Sequence, residues 1–322
     1  MCGIVGYFSK KKAVPIKTLI VEAYKNKHRG SEDGLGIIFL YKNKIHIRKT
    51  SLFLEELVSG KLNTYKRKDK TIKGVKDINA FFQEKLDNFQ KILETKVKFC
   101  IVHHRKASQG SIKIANTHPF KIKKMVYYMQ NGTQNHYLAL RKYLMLNNDL
   151  KMKSYTDSEI VAYVAEEFLE SWKYLEQDAF GNVCDYLSKI FSFFGVVIRA
   201  DFEKLRVDFL TSGDRTFYIM ELNKDKDVFF ISEPAFPIEH KVHSCKQVYS
   251  GRVSLDLKKG ELIYGDDCFF VDYTDKFKQL KEINNKSGVE IKSLQCDSCK
   301  VANKNVLRLQ LMDSFEFHLV QK

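Results

Sequence analysis

Apolar residues along this chain of 322 residues fall into segments with two different periods, and the segments come in blocks. A short apolar run from Cys2 to Phe8 predicts a strand, and "IKTLIVEAYKN" after it places Ile16, Leu19, Ile20 and Ala23 on one face of a helix. "HRGSEDGLGIIFLYKNKIHIRKT" reads as a glycine-rich turn and then a hairpin around "KNK". From Asn79 to Leu93 the apolar residues Phe81, Phe82, Leu86, Phe89, Ile92 and Leu93 recur at helical spacing, and β-rich "VKFCIVHHR" follows. "KKMVYYMQNG" predicts a strand ending at a turn; helices are expected across "NHYLALRKYLML", "DSEIVAYVAEEFLESW" and "VCDYLSKIF". A ladder of strands completes the pattern: "FFGVVIRA", "LRVDFLTS", "TFYIMEL", "DVFFIS", "KQVYSGRVSLDL" and "ELIYG". Blocks of strands and helices, without strict alternation, fit antiparallel sheets with helices outside them better than a doubly wound parallel sheet.

At 44% hydrophobic residues the chain can bury a full core, and its length suggests about two domains or one large domain with an appendage. No repeat or proline-rich linker divides it. After "GDDCFF" the sequence turns into charged helix-like segments, a "CDSC" pair (Cys296, Cys299) and a final β-rich run, so residues 266–322 read as an appendage to a unit spanning 2–265. The seven cysteines are mostly far apart and odd in number, which suits a reducing cytosol. No run approaches the roughly 18 apolar residues of a membrane span, so a cytoplasmic protein without a membrane partner is expected.

Lys and Arg exceed Asp and Glu by 54 to 39, a net charge of +15. The surplus is spread along the chain, and only Lys61–Lys76 gathers it into an exposed basic loop, the one place where a nucleic-acid contact could arise. The "CDSC" pair has no second ligand pair beside it, with His318 and Cys268 as the only conceivable completions, so no metal is expected. There is no Walker-type phosphate loop, and no cofactor is expected.

The candidate chemistry starts at the second residue. Methionine is removed efficiently before a small side chain, which would leave Cys2 with a thiol and a free α-amine on one residue. A thiol of pKa near 8.5 beside an amine at about 7.7–8.0 supplies nucleophile and base together. Taken singly, other signals are ordinary: Cys2 as apolar filler, Asn131-Gly132 as a hairpin turn, Asp157 as a helix N-cap and Arg105 as a surface charge.

Five stretches in a fixed order change that balance: "MCGIVGYF", "HRGSEDGLG", "HHRKASQG" with "NTHPF", "MQNG" and "YTDSE". Over residues 2–265 the chain resembles the glutaminase domain of class II glutamine amidotransferases, members of the N-terminal nucleophile hydrolases. The resemblance implies a four-layer α/β/β/α sandwich. It implies that Cys2 attacks the side-chain amide of L-glutamine to form a thioester, with an oxyanion hole made by the Asn131 side chain and the Gly132 N–H. Arg105 would hold the substrate α-carboxylate and Asp157 the α-ammonium, with Ser108, where threonine is usual, among the substrate-binding residues. Gly3 would leave room beside the thiol, and Arg29 and Gly30 would buttress the nucleophile strand. His118 and the adjacent His103 and His104 are expected to pack or face solvent, not to act as bases.

Several positions depart from the family pattern: Lys106 where an aromatic residue is common, Gln109 where one branch has histidine, and a glycine-rich turn one residue longer. The family joins its glutaminase to a synthase that consumes the ammonia, for which the roughly fifty residues of the appendage are too few. The expected function is therefore a glutaminase subunit passing ammonia to an acceptor enzyme on another chain. The alternatives are a γ-glutamyl amide hydrolase without transfer and an inactive fold used for binding.

Overall fold

The computed structural model describes residues 2–25, 33–64, 76–106, 113–147, 152–171, 193–222, 227–232, 242–265 and 268–275. The helix expected over "VCDYLSKIF", the "CDSC" pair and residues 65–75 of the basic loop lie outside them. In chain order the elements are β1 (Gly3–Phe8), β2 (Val14–Pro15), α1 (Ile16–Lys25), β3 (Leu35–Tyr41), β4 (Lys44–Thr50), α2 (Leu54–Ser59) and α3 (Ile78–Leu93). Then come β5 (Lys96–Val97), β6 (Phe99–His104), β7 (Phe120–Lys121), β8 (Val126–Gln134), α4 (Tyr137–Asn147), α5 (Asp157–Ser171) and β9 (Phe193–Asp201). β10 (Arg206–Leu222), β11 (Asp227–Ile231), β12 (Val242–Asp256), β13 (Glu261–Tyr264) and β14 (Phe269–Asp272) close the described chain.

The strands run β4-β3-β6-β1-β11-β10-β9-β8-β7, with β12 beside β10 and carrying β13 and β14. The pairings are antiparallel. β10 explains how one sheet makes two layers. Its first half pairs with β9 and its second half with β11, and its register with β12 shifts between Ser212 and Phe217. The bend folds the sheet over, so that Ile4, Phe8, Ile38, Phe99 and Ile101 share an inner core with Tyr127, Met129, Ile198 and Phe209. Burying each such side chain contributes about 1.5–3 kcal/mol.

The two outer faces take the helices. β1 is buried along its whole length, and the alternation Val5, Tyr7 against Ile4, Phe8 sends one set to α1–α3 and the other to the inner core. On the far side, Val126, Tyr128 and Val197 pack under α4 and α5. A buried ion network fixes α5 there: Glu166 accepts from the Tyr128 hydroxyl at 2.5 Å and from Arg199 Nε at 2.7 Å. Burial alone would raise the Glu166 carboxyl, but Arg199 and Tyr128 hold it below its ordinary range. The result is the four-layer sandwich, with α1–α3 outside one layer and α4–α5 outside the other.

Most strand and helix expectations match these elements, including the "KNK" hairpin. Lys42 and Asn43 both have positive φ, 49° and 58°, as a two-residue type I′ turn requires. Two expectations need correction: "LRVDFLTS" and "TFYIMEL" form one strand, β10, and β8 runs past its expected end. β8 does not end at Asn131-Gly132 but continues to Gln134, with Asn131 opposite Val196 and Gly132 opposite Gly195. The close approach is possible because Gly195 sits at φ 152°, where a Cβ would fall 2.6 Å from the Asn131 carbonyl.

Candidate active site

Cys2 stands just before β1, which is held between β6 and β11. The half-buried thiol is contacted by the Lys106 backbone, whose N–H donates to Sγ at 3.4 Å. Burial pushes the thiol above its usual range, against the opposing pull of that N–H and of Arg105. A thiol held this way stays protonated at neutral pH, so it needs a base before it can attack.

Gly3 is constrained by a neighbour more than by substrate space. A Cβ there would lie 1.8 Å from Nε2 of His104, the residue opposite it on β6. Gly3→Ala is therefore expected to destabilise the fold by about 1–3 kcal/mol, as overpacked cores do. Denaturant unfolding checks this, and His104→Ala in the same chain should recover part of the loss.

Arg105 directly follows β6, buried to 3% exposure, with its N–H donating to the Gly34 carbonyl at 2.8 Å. Burial lowers its pKa, while Cys2, Asp33 and Asp157 act to raise it, so it shares one electrostatic neighbourhood with the thiol and Asp157. Asp157 opens α5. Its carboxylate accepts from Gln134 N–H at 2.8 Å and from Ser158 N–H at 3.0 Å. Burial nevertheless raises its pKa, with these hydrogen bonds offsetting part of the effect.

The oxyanion-hole candidates lie along the outer edge of β8. Ile122 N–H donates to the Val126 carbonyl, so Val126 turns its backbone groups toward β7. Alternation along an antiparallel strand turns those of Tyr128, Gln130, Gly132 and Gln134 the same way. Among the described residues β7 pairs with Tyr127 and Tyr128, and no described strand lies along the edge beyond them. Two groups on that edge are taken: the Gln130 carbonyl by His103 Nε2 at 3.0 Å, and the Gln134 N–H by Asp157. Between them the Gly132 N–H points to the same side. The Asn131 side chain is 1% exposed, and its Nδ2 has no hydrogen-bond partner among the described residues. A buried amide donor without a partner is costly, and a water or a ligand oxygen at this position would complete it.

No family model matches the chain. A glutamine–fructose-6-phosphate aminotransferase of Clostridium perfringens is 24% identical over 331 aligned positions, covering 94% of this chain and 47% of its own. The corresponding enzyme of Sulfolobus acidocaldarius is 27% identical over 171 residues, 53% of this chain and 24% of its own. Among solved structures, the glutamine phosphoribosylpyrophosphate amidotransferase of B. subtilis superimposes with a TM-score of 0.53 over 85% of this chain and 49% of that one, at 14% identity. The chain is similar to glutamine amidotransferases in sequence and in fold. It spans half or less of the length of these relatives.

Cys2, Arg105 and Asp157 lie in one electrostatic neighbourhood, and Asn131 and Gly132 lie on the strand that Asp157 caps. Ser108, Arg29 and Gly30 lie outside the described residues. His103, His104 and His118 are all buried, as packing residues are expected to be. No group of three or more His, Cys, Asp or Glu among the described residues could hold a metal ion, and no described helix is long and apolar enough to cross a membrane.

Two residues inside the quoted motifs carry weight that the sequence reading passed over. Glu159 accepts from Ser154 N–H and Oγ, both at 2.7 Å, and Asn116 Oδ1 accepts from Tyr155 N–H at 3.0 Å. Together they fix the segment that delivers Asp157. "YTDSE" and "NTHPF" contain both residues, and the capping-box spacing before α5 was the available signal for Glu159.

Proposed function

We propose that the chain hydrolyses L-glutamine to glutamate and ammonia through a thioester on Cys2, after removal of Met1. The freed α-amine takes the thiol proton, sulfur attacks the side-chain amide carbon, and the carbonyl electrons move onto oxygen. That oxygen is held by Asn131 Nδ2–H and the Gly132 N–H. The ammonium returns its proton to the amide nitrogen, the C–N bond breaks and ammonia leaves; water, deprotonated by the same amine, then resolves the thioester. Arg105 and Asp157 bind the α-carboxylate and α-ammonium, which selects a free amino acid over a simple amide. The reading rests above all on the buried, unpartnered Nδ2 of Asn131 beside the outward Gly132 N–H. Ammonia release from glutamine by purified protein, absent when Asn131 is replaced, tests it.

The ammonia is proposed to pass to an acceptor enzyme on a separate chain, and the glutaminase unit to span 2–265, with β14 adding an edge strand to β12. The names of the relatives mention fructose 6-phosphate and phosphoribosylpyrophosphate, and this chain covers half or less of their length.

Asp157→Asn separates binding from folding. Because burial raises the Asp157 pKa above its unfolded value, ionising it costs the native state. That cost is absent below about pH 4 and complete above the folded pKa. At pH 7 the variant escapes that cost but gives up one of the two accepted hydrogen bonds, because an amide nitrogen cannot accept from a backbone N–H, so its unfolding midpoint should move little. Its KM for glutamine should rise about 30-fold or more, for the ~2 kcal/mol of a buried charge pair. A parallel loss of stability would contradict this.

A further inference from the structure

We infer that His103 is a positioning residue for the proposed glutaminase reaction, a strut from the nucleophile's layer to the strand that carries the oxyanion hole. The inference rests on that functional reading.

His103 lies on β6, opposite Ile4 of β1 and two residues along from Cys2. Its ring crosses the inner core and reaches the Gln130 carbonyl on the edge of β8, 3.0 Å from Nε2. The next residue is Asn131, and the next group on the same edge is the Gly132 N–H. The Gln134 N–H further along is fixed by Asp157. His103 and Asp157 thus grip the edge on either side of the oxyanion donor, one from the facing sheet layer and one from the start of α5.

The chemistry of the ring fits a fixed donor. His103 is 0% exposed, and burial, together with the charges of His104 and Arg105, pushes its pKa down to about 3. The ring is neutral, so the nitrogen facing a carbonyl must carry the proton: Nε2–H donates, and Nδ1, which has no partner among the described residues, is unprotonated. His118 packs against the ring with centroids 4.0 Å apart, and Phe120 packs against His118 at 4.8 Å, so the imidazole is held from behind. A neutral imidazole that touches neither the thiol nor the expected position of the amide is not a base. Its available role is to set the distance between sulfur and oxyanion hole.

The test compares His103→Phe, which keeps a ring but lacks the donor, with His103→Gln, whose amide nitrogen sits the same number of bonds from Cβ as Nε2. In steady-state glutamine hydrolysis the phenylalanine variant should lose about 10²-fold in kcat, the scale of a 1 Å misplacement. Its KM should stay within about twofold of wild type, the signature of an interaction that matters in the transition state. The glutamine variant should recover most of that loss. The rate at which iodoacetamide alkylates Cys2, mapped by peptide mass, should be unchanged in both, because that reaction needs no oxyanion hole. Should the phenylalanine variant fail to fold, His103→Asn, whose amide falls short of the carbonyl, replaces it in the same comparison. An unchanged kcat in the donor-less variant, a kcat loss the glutamine variant does not recover, or a parallel fall in the alkylation rate overturns the inference. A wild-type protein that releases no ammonia from glutamine overturns the functional reading instead.

Discussion

Replacing Cys2 with alanine should leave a folded protein that releases no ammonia from glutamine. Loss of a nucleophile that acts together with its base removes about 10⁶-fold in kcat, which places the variant below detection in a coupled glutamate assay. The fold should survive because the thiol is half-buried and, among the described residues, its hydrogen-bond contacts are with the Lys106 backbone, at 3.4 and 3.6 Å. The pH dependence follows from the same chemistry. Burial holds the thiol above its ordinary pKa, so attack depends on the α-amine being free, and kcat/KM should rise with pH up to about 8, where an α-amine titrates. A profile that instead followed the thiol, still rising well above pH 9, would exclude the amine as base.

Replacing Asn131 with alanine is the second large effect, and it divides activity from stability. Removing one oxyanion donor typically costs about 10²–10³-fold in kcat, or 2.7–4 kcal/mol, with little change in KM. In the resting protein, however, Nδ2 makes no hydrogen bond with any described residue, so its loss removes no native interaction and relieves a buried, unpartnered donor. The variant should therefore unfold at the same denaturant midpoint as wild type, or a slightly higher one, while turnover collapses. An Asn131 that served only to hold β8 in place would show the reverse, losing stability and activity together.

The sequence carried the local half of this account. Period-2 and period-3.6 patterns located β1, α1, α3 and the β3–β4 hairpin, because each is decided by neighbours within a few residues. The resemblance carried by five motifs in a fixed order implied the roles of Cys2, Arg105, Asn131 and Asp157. What stayed hidden is non-local. No pattern in "LRVDFLTS" and "TFYIMEL" says that they are one strand, β10, bending the sheet into two layers. "MQNG" carries the strongest short turn signal, yet pairing with β9 at Val196 and Gly195 draws it into a strand, and only there does the Gly132 N–H reach the edge of the described sheet. The reason for Gly3 lies about a hundred residues away in His104, and the role inferred for His103 depends on a carbonyl in the opposite layer.

The most direct measurement is intact and peptide mass spectrometry of purified protein quenched with acid during turnover of glutamine. The account predicts an N-terminal peptide that begins at Cys2 and carries a γ-glutamyl group on its sulfur, and no adduct on the Cys2→Ala protein. A chain that hydrolyses glutamine while retaining Met1, or that carries the acyl group on any other residue, would contradict it.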